Sequence, residues 1–109
     1  PECERTMAIE TKMISMATTK SHERQVMFSD LDSNNHMNNT VYADWAYDLL
    51  GSAWIKEREL QEFRLAFHTE ALEGEILKMD YEITDTEIYV LGSVGERKVY
   101  EIYLKFIKL

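Results

Sequence analysis

The 109-residue sequence predicts an α+β fold in which one antiparallel sheet wraps around a single central helix. Three observations predict it. Residues 39–50 carry a helical pattern that is apolar around most of its circumference, and such a helix needs cover on nearly every side. Four strand-like runs with period-two alternation follow it. The connections between those runs are short, and short connections join antiparallel neighbours. One helix against one antiparallel sheet is a layered α+β arrangement.

In chain order, residues 1–20 mix Met and Thr with weak periodicity and read as an arm, a linker or a short helix; the folded domain is expected over residues 21–109. Residues 22–29, HERQVMFS, read as a strand with Val26 and Phe28 on one face. A polar loop, residues 30–38, follows. Asn38 or Asn39 is a good N-cap for the helix, and Gly51 a good stop. Tyr42, Trp45, Ala46 and Leu49 form the helical stripe, Val41, Ala43 and Leu50 widen it, and Asp44 and Asp48 are wet. FRLAFHT puts Phe63, Leu65 and Phe67 on one side. ILKMDYEI sets Leu77, Met79, Tyr81 and Ile83 against Lys78, Asp80 and Glu82. EIYVL follows a tight turn at Asp85 and Thr86, and residues 92–97 read as a second turn. VYEIYLKFIKL then opposes Tyr100, Ile102, Leu104 and Phe106 to Glu101, Tyr103 and Lys105. This order matches the hotdog fold.

Composition narrows the partners. Twelve basic against 20 acidic side chains give a net charge of −8, which disfavours nucleic acid and anionic membranes. The single cysteine, Cys3, excludes a disulfide framework and a cysteine-rich metal site, and a reducing cytoplasm fits. No apolar run approaches the roughly 20 residues of a membrane span, and no signal peptide is visible. A domain this small gains from a partner, so at least a dimer is expected. The chain starts at Pro1, and a fragment or processed form is expected.

The stretch SDLDSNNHMNN invites four readings. Asp30, Asp32 and Asn34 have EF-hand-like spacing, but Asn35 stands at the sharp-turn glycine position, Val41 at the bidentate glutamate position, and a strand precedes the loop. Calcium is therefore not expected. His22, His36 and His68 show no transition-metal spacing. Turn and cap chemistry accounts for Asn38 and Asn39. Asp32, Asn34 and His36 differ, because in an extended segment their i, i+2, i+4 spacing puts all three on one face. They precede a helix N-terminus whose amides and dipole favour an oxyanion.

SDLDSNNHMNNTVYADWAYD resembles the signature of acyl-acyl-carrier-protein thioesterases, roughly D-L-D-x-N-x-H-V-N-N-x-x-Y-x-x-W-x-x-E, at the start of the second of two hotdog domains. The match runs through Asp30, Leu31, Asp32, Asn34, His36, Asn38, Asn39, Tyr42 and Trp45, with Met37 for Val and Asp48 for Glu. Shorter versions occur in single-hotdog acyl-CoA thioesterases. The resemblance implies catalytic roles for Asp32, Asn34 and His36. It implies a further catalytic glutamate at Glu70, in a segment like R-R-E-C that reads His68, Thr69, Glu70, Ala71 here. Ala71 excludes a cysteine nucleophile at that position, and the absence of both arginines leaves open how the segment is held. By strand parity Glu70 falls with Arg64 and His68, away from Phe67, and a bulge is needed to re-aim it. Its other reading is an exposed acidic turn with Glu73, Gly74 and Glu75.

The expected function is hydrolysis of a fatty acyl thioester, carried by acyl carrier protein, to free fatty acid, with no cofactor and no metal. His36 or Glu70 would be the base, Asp32 would orient His36 or Asn34, and Asn34 would orient the carbonyl or the water. Helix amides near Asn38 would hold the oxyanion. Asn38, Asn39, Tyr42 and Trp45 would contact substrate, with the acyl chain between helix and sheet. Two alternatives stand beside it: an isolated non-catalytic hotdog half that dimerises or binds acyl groups, and an acyl-CoA thioesterase. A homodimer, or pairing with another hotdog domain, is expected in each case.

Overall fold

A computed structural model describes residues 12–32, 37–38 and 40–109. Its elements are β1 (Lys20–Gln25), a 3-10 turn (Phe28–Asp30), α1 (Thr40–Leu50), α2 (Ser52–Ile55), β2 (Arg58–Phe67), β3 (Ile76–Ile83), β4 (Glu87–Val94) and β5 (Arg97–Lys108). The five strands form one antiparallel sheet in the order β1-β3-β4-β5-β2. Strands β3, β4 and β5 are the expected meander. Strand β2 is not part of it: it pairs with β5 at one edge, so residues 68–75 cross the end of the sheet to reach β3.

The alternation read from sequence builds the inner face. Ile88 pairs with Leu104, Val90 with Ile102, Gly92 with Tyr100 and Leu65 with Ile102. Helix α1 lies on that face and buries Tyr42, Trp45, Ala46 and Leu50, while Asp44 and Asp48 are exposed. Tyr42 stacks on Tyr100, with ring centroids 3.9 Å apart and planes 19° from parallel. Gly51 ends α1 as expected, at φ 86°, with its amide bonded to the Tyr47 carbonyl at 2.9 Å. Among the described residues no helix is long and apolar enough to cross a membrane.

The strand expected over residues 22–29 ends at Gln25, and Phe28, expected on one face with buried Val26, is exposed in the 3-10 turn. Three further features depart from the sequence reading. Gly92 lies inside β4 and not in a turn; the turn is residues 95–96, with Gly95 at φ 61°. A Cβ on Gly92 would sit 2.2 Å from Cε1 of Tyr100, so the glycine makes room for the ring that Tyr42 stacks on. The second feature is the short helix α2, which the polar-apolar mixture of SAWI does not announce. Third, Glu101 and Tyr103 point away from α1 yet are buried. Residues 12–19 run over that outer face: Arg64 donates to the Lys12 carbonyl at 2.6 Å, Ser15 to Glu101 at 3.3 Å, and Thr19 to Glu82 through amide and hydroxyl. An extended strip that enters β1 at Lys20 thus follows, in place of a helix.

Candidate functional site

The crossing residues 68–75 and the start of α1 meet at one end of the sheet. They enclose an open pocket of about 300 Å³ lined by Met37, Tyr42, Phe67, His68, Thr69 and Glu70. Met37 comes from the far end of the polar loop, whose base is closed by an antiparallel bridge between Leu31 and Met37. Asp30 pins the near end. It is buried, its Oδ2 accepts the Met27 amide at 2.9 Å, and its carbonyl accepts the Asn38 amide at 3.0 Å.

The parity difficulty at Glu70 has a local solution. The amides of His68 and Thr69 both donate to the Val99 carbonyl, at 2.8 and 3.3 Å. Two consecutive amides on one carbonyl are a β-bulge, and the extra residue inverts the alternation. Past the bulge, Glu70 falls on the side of Phe67 and Tyr42 rather than that of Arg64. Further bonds fix the segment: Thr69 Oγ1 donates to the Lys98 carbonyl at 2.7 Å, and Arg97 Nη2 donates to the Glu70 carbonyl at 3.2 Å and to Glu75 Oε1 at 2.8 Å. Glu75 also accepts the Leu72 amide at 2.8 Å. That backbone bond, with Arg97, holds its carboxyl below the usual range against the opposing effect of desolvation. These groups hold what the two missing arginines left open.

The pocket wall is aromatic and senses the carboxylate. Tyr42 has its hydroxyl pKa pushed up to about 12, first by burial and then by the negative charge of Glu70. Phe67 stands 6.0 Å from Tyr42, centroid to centroid, and is 45% exposed, so an apolar surface remains open beside Glu70. Behind Tyr42, Tyr100 is fully buried, and burial pushes its hydroxyl well above the ordinary value. Ala71, next to Glu70, is buried, and no thiol stands there.

The other expected site residues divide. Asp32 is exposed, beside the Leu31–Met37 bridge. Asn34, His36 and Asn39 lie outside the described residues. Asn38 caps: its Oδ1 accepts the Thr40 amide at 3.2 Å and hydroxyl at 2.9 Å, and its carbonyl accepts the Val41 amide at 2.9 Å. The amides of Asn38, Thr40 and Val41 are therefore already engaged, so the oxyanion donors expected near Asn38 are not these three. Trp45 packs edge-on to Tyr42 at 5.8 Å and lines a separate cavity of about 140 Å³ with His22, Arg24, Asp48, Leu49 and Met79. Arg24 lies over its ring at 4.6 Å. The interface between α1 and the sheet, where the acyl chain was expected, is filled by Tyr42, Trp45, Ala46, Tyr100 and Ile102, each at most 3% exposed. Among the described residues, two cavities open beside it. Among the described residues no cluster of His, Cys, Asp and Glu is arranged to hold a metal ion.

Sequence reasoning missed His68, Glu101 and Arg97. His68 lines the pocket, and its Nε2 lies 2.9 Å from Glu101 Oε1. The only signal in the sequence was a histidine two residues before Glu70.

Residues 14–105 match the family model described as the acyl-ACP thioesterase C-terminal domain. No curated protein sequence matches the chain. Solved structures share the fold. An acyl-ACP thioesterase from Bacteroides thetaiotaomicron superposes with a TM-score of 0.74 at 21% identity, over 88% of this chain and 42% of that one. A 12:0-ACP thioesterase from Umbellularia californica gives 0.76 at 17% identity, over 92% and 41%. A 1,4-dihydroxy-2-naphthoyl-CoA thioesterase from Synechocystis gives 0.63 at 13% identity, over 80% and 79%. The chain spans about two fifths of the length of the two acyl-ACP thioesterases.

Proposed function

Because the chain belongs to the family of acyl-ACP thioesterase C-terminal domains, we propose that it hydrolyses a fatty acyl thioester carried by acyl carrier protein, releasing free fatty acid. The observation that carries the reading is the bulge at His68 and Thr69, which turns Glu70 into an open pocket walled by Tyr42 and Phe67. A carboxylate beside an aromatic, partly exposed surface is suited to a reacting carbonyl whose tail is apolar.

In this reading water attacks the thioester carbonyl. Its proton passes to Glu70, directly or by way of His36. The carbon–sulfur bond breaks as the tetrahedral intermediate collapses, and the departing thiolate takes a proton back from the same base. Asn34 orients the carbonyl, and Asp32 steadies the protonated form of His36. The positive end of the α1 dipole favours the negative charge that develops on oxygen. The acyl chain starts along Phe67 and Tyr42. With Ala71 beside Glu70, no acyl-cysteine forms there.

A second reading is favoured by the span of the chain, about two fifths of its acyl-ACP thioesterase relatives. It makes these residues a module that binds acyl groups or pairs with another hotdog domain, without turnover of its own. The two readings part in one assay: fatty acid release from long-chain acyl-ACP and acyl-CoA by the full-length protein. The hydrolase reading expects release, faster from the carrier protein and lost in Glu70→Gln; release that persists in Glu70→Gln contradicts it. No release with any acyl length from either carrier contradicts it and supports the module.

A further inference from the structure

The bulge that aims Glu70 is tied down through His68, which lines the pocket and reaches Glu101, a β5 residue that points away from α1. The His68 ring meets Glu101 with Nε2 2.9 Å from Oε1. Glu101 is only 7% exposed, and its other oxygen accepts hydrogen bonds from the Tyr89 hydroxyl and, at 3.3 Å, from Ser15. Burial would raise its carboxyl, but the bonds from Tyr89 and His68 outweigh this and hold it below the usual range, so it is ionised. An ionised carboxylate only accepts, and His68 therefore carries a hydrogen on Nε2. Tyr89 of β4, Ser15 of residues 12–19 and His68, just past β2, thus converge on the Glu101 carboxylate of β5, and His68 is the residue where the bulge begins.

We propose that Glu101, acting through His68, is a positioning residue for Glu70: the buried carboxylate fixes the His68 ring, the ring fixes the bulge, and the bulge sets the direction of the Glu70 side chain. The inference rests on Glu70 acting on the thioester. His68 and Glu101 take no proton from substrate. Their effect is geometric, and a misplacement of about 1 Å in a catalytic group can cost about 10²-fold in rate.

The test uses the full-length protein and acyl-ACP hydrolysis, with melting temperature read for every variant. His68→Ala and Glu101→Ala are each expected to lower kcat about 10- to 100-fold with KM unchanged. The double variant is expected to fall no further than either alone. His68→Gln, which keeps an N–H donor near Nε2, is expected to recover most of the rate. In a Glu70→Gln background, His68→Ala is expected to cost little more, because nothing remains to aim. Should Glu101→Ala fail to fold, Tyr89→Phe, which removes one donor and keeps the ring, is expected to lower kcat severalfold. If Glu70→Gln is crippled while His68→Ala keeps the wild-type kcat, the inference is overturned and the function stands. It is likewise overturned if His68→Ala costs the same factor with and without Glu70. An unchanged kcat in Glu70→Gln removes the proposed function and this inference together.

Discussion

Glu70→Gln is expected to lower kcat for acyl-thioester hydrolysis by about 10²- to 10⁴-fold, the usual worth of a general base, with KM little changed. Glutamine keeps the size of the side chain and its place beside Tyr42, but it cannot accept a proton at the water. The expected split, in kcat rather than KM, follows from the position of Glu70 at the pocket with Phe67 and Tyr42, which supply apolar contact and are left in place. The hydroxyl of Tyr42 already registers the Glu70 charge, so the substitution is also expected to lower the Tyr42 pKa from about 12. A Glu70→Gln enzyme with the wild-type kcat would remove Glu70 from the chemistry and restore the exposed acidic turn as its explanation.

The second large effect is expected at Gly92, which touches no substrate. A methyl group there meets the Tyr100 ring at 2.2 Å, and that ring is fully buried and stacked on Tyr42. A packed aromatic ring cannot swing aside as a flexible chain end can. Overpacking of this kind costs typically about 1–3 kcal/mol. Gly92→Ala should therefore lower the melting temperature by several degrees. It should also reduce activity, because the displaced Tyr100 pushes Tyr42 toward the pocket. Gly95→Ala serves as the control: that glycine sits at φ 61° with nothing within 4 Å of the added methyl, so only local backbone strain is expected. A Gly92→Ala protein that melts with the wild type would show that the strands approach less closely at this point than described.

Legibility in the sequence followed the physics of each element. Helix α1 and strands β3, β4 and β5 were readable because one face of each is apolar with the right period. The first half of β2 was not. RELQE is polar because β2 is an edge strand, and solvent tolerates polar side chains there. Glu101 and Tyr103 look like a wet face by alternation. Residues 12–19 cover that face, and their weak periodicity gave no hint of it. At Glu70 the sequence posed the question and suggested a bulge. The answer depended on a carbonyl of β5, Val99, that accepts two amides, and no periodicity reveals that. The His68–Glu101 pair is separated by 33 positions and exists only once β2 and β5 are aligned. Trp45, expected at the substrate, belongs to the helical stripe first: its ring is 3% exposed and faces the smaller cavity.

The central claim is that water, activated at the Glu70 pocket, attacks the thioester directly. Its most direct test is a single turnover of long-chain acyl-ACP by the full-length protein in ¹⁸O-labelled water, followed by mass analysis of the fatty acid. Direct attack predicts one ¹⁸O in the carboxylate of the first product formed, and loss of that product in Glu70→Gln. An unlabelled carboxylate in the first turnover would mean that its oxygen came from the protein, through an acyl–enzyme anhydride, and would contradict the account.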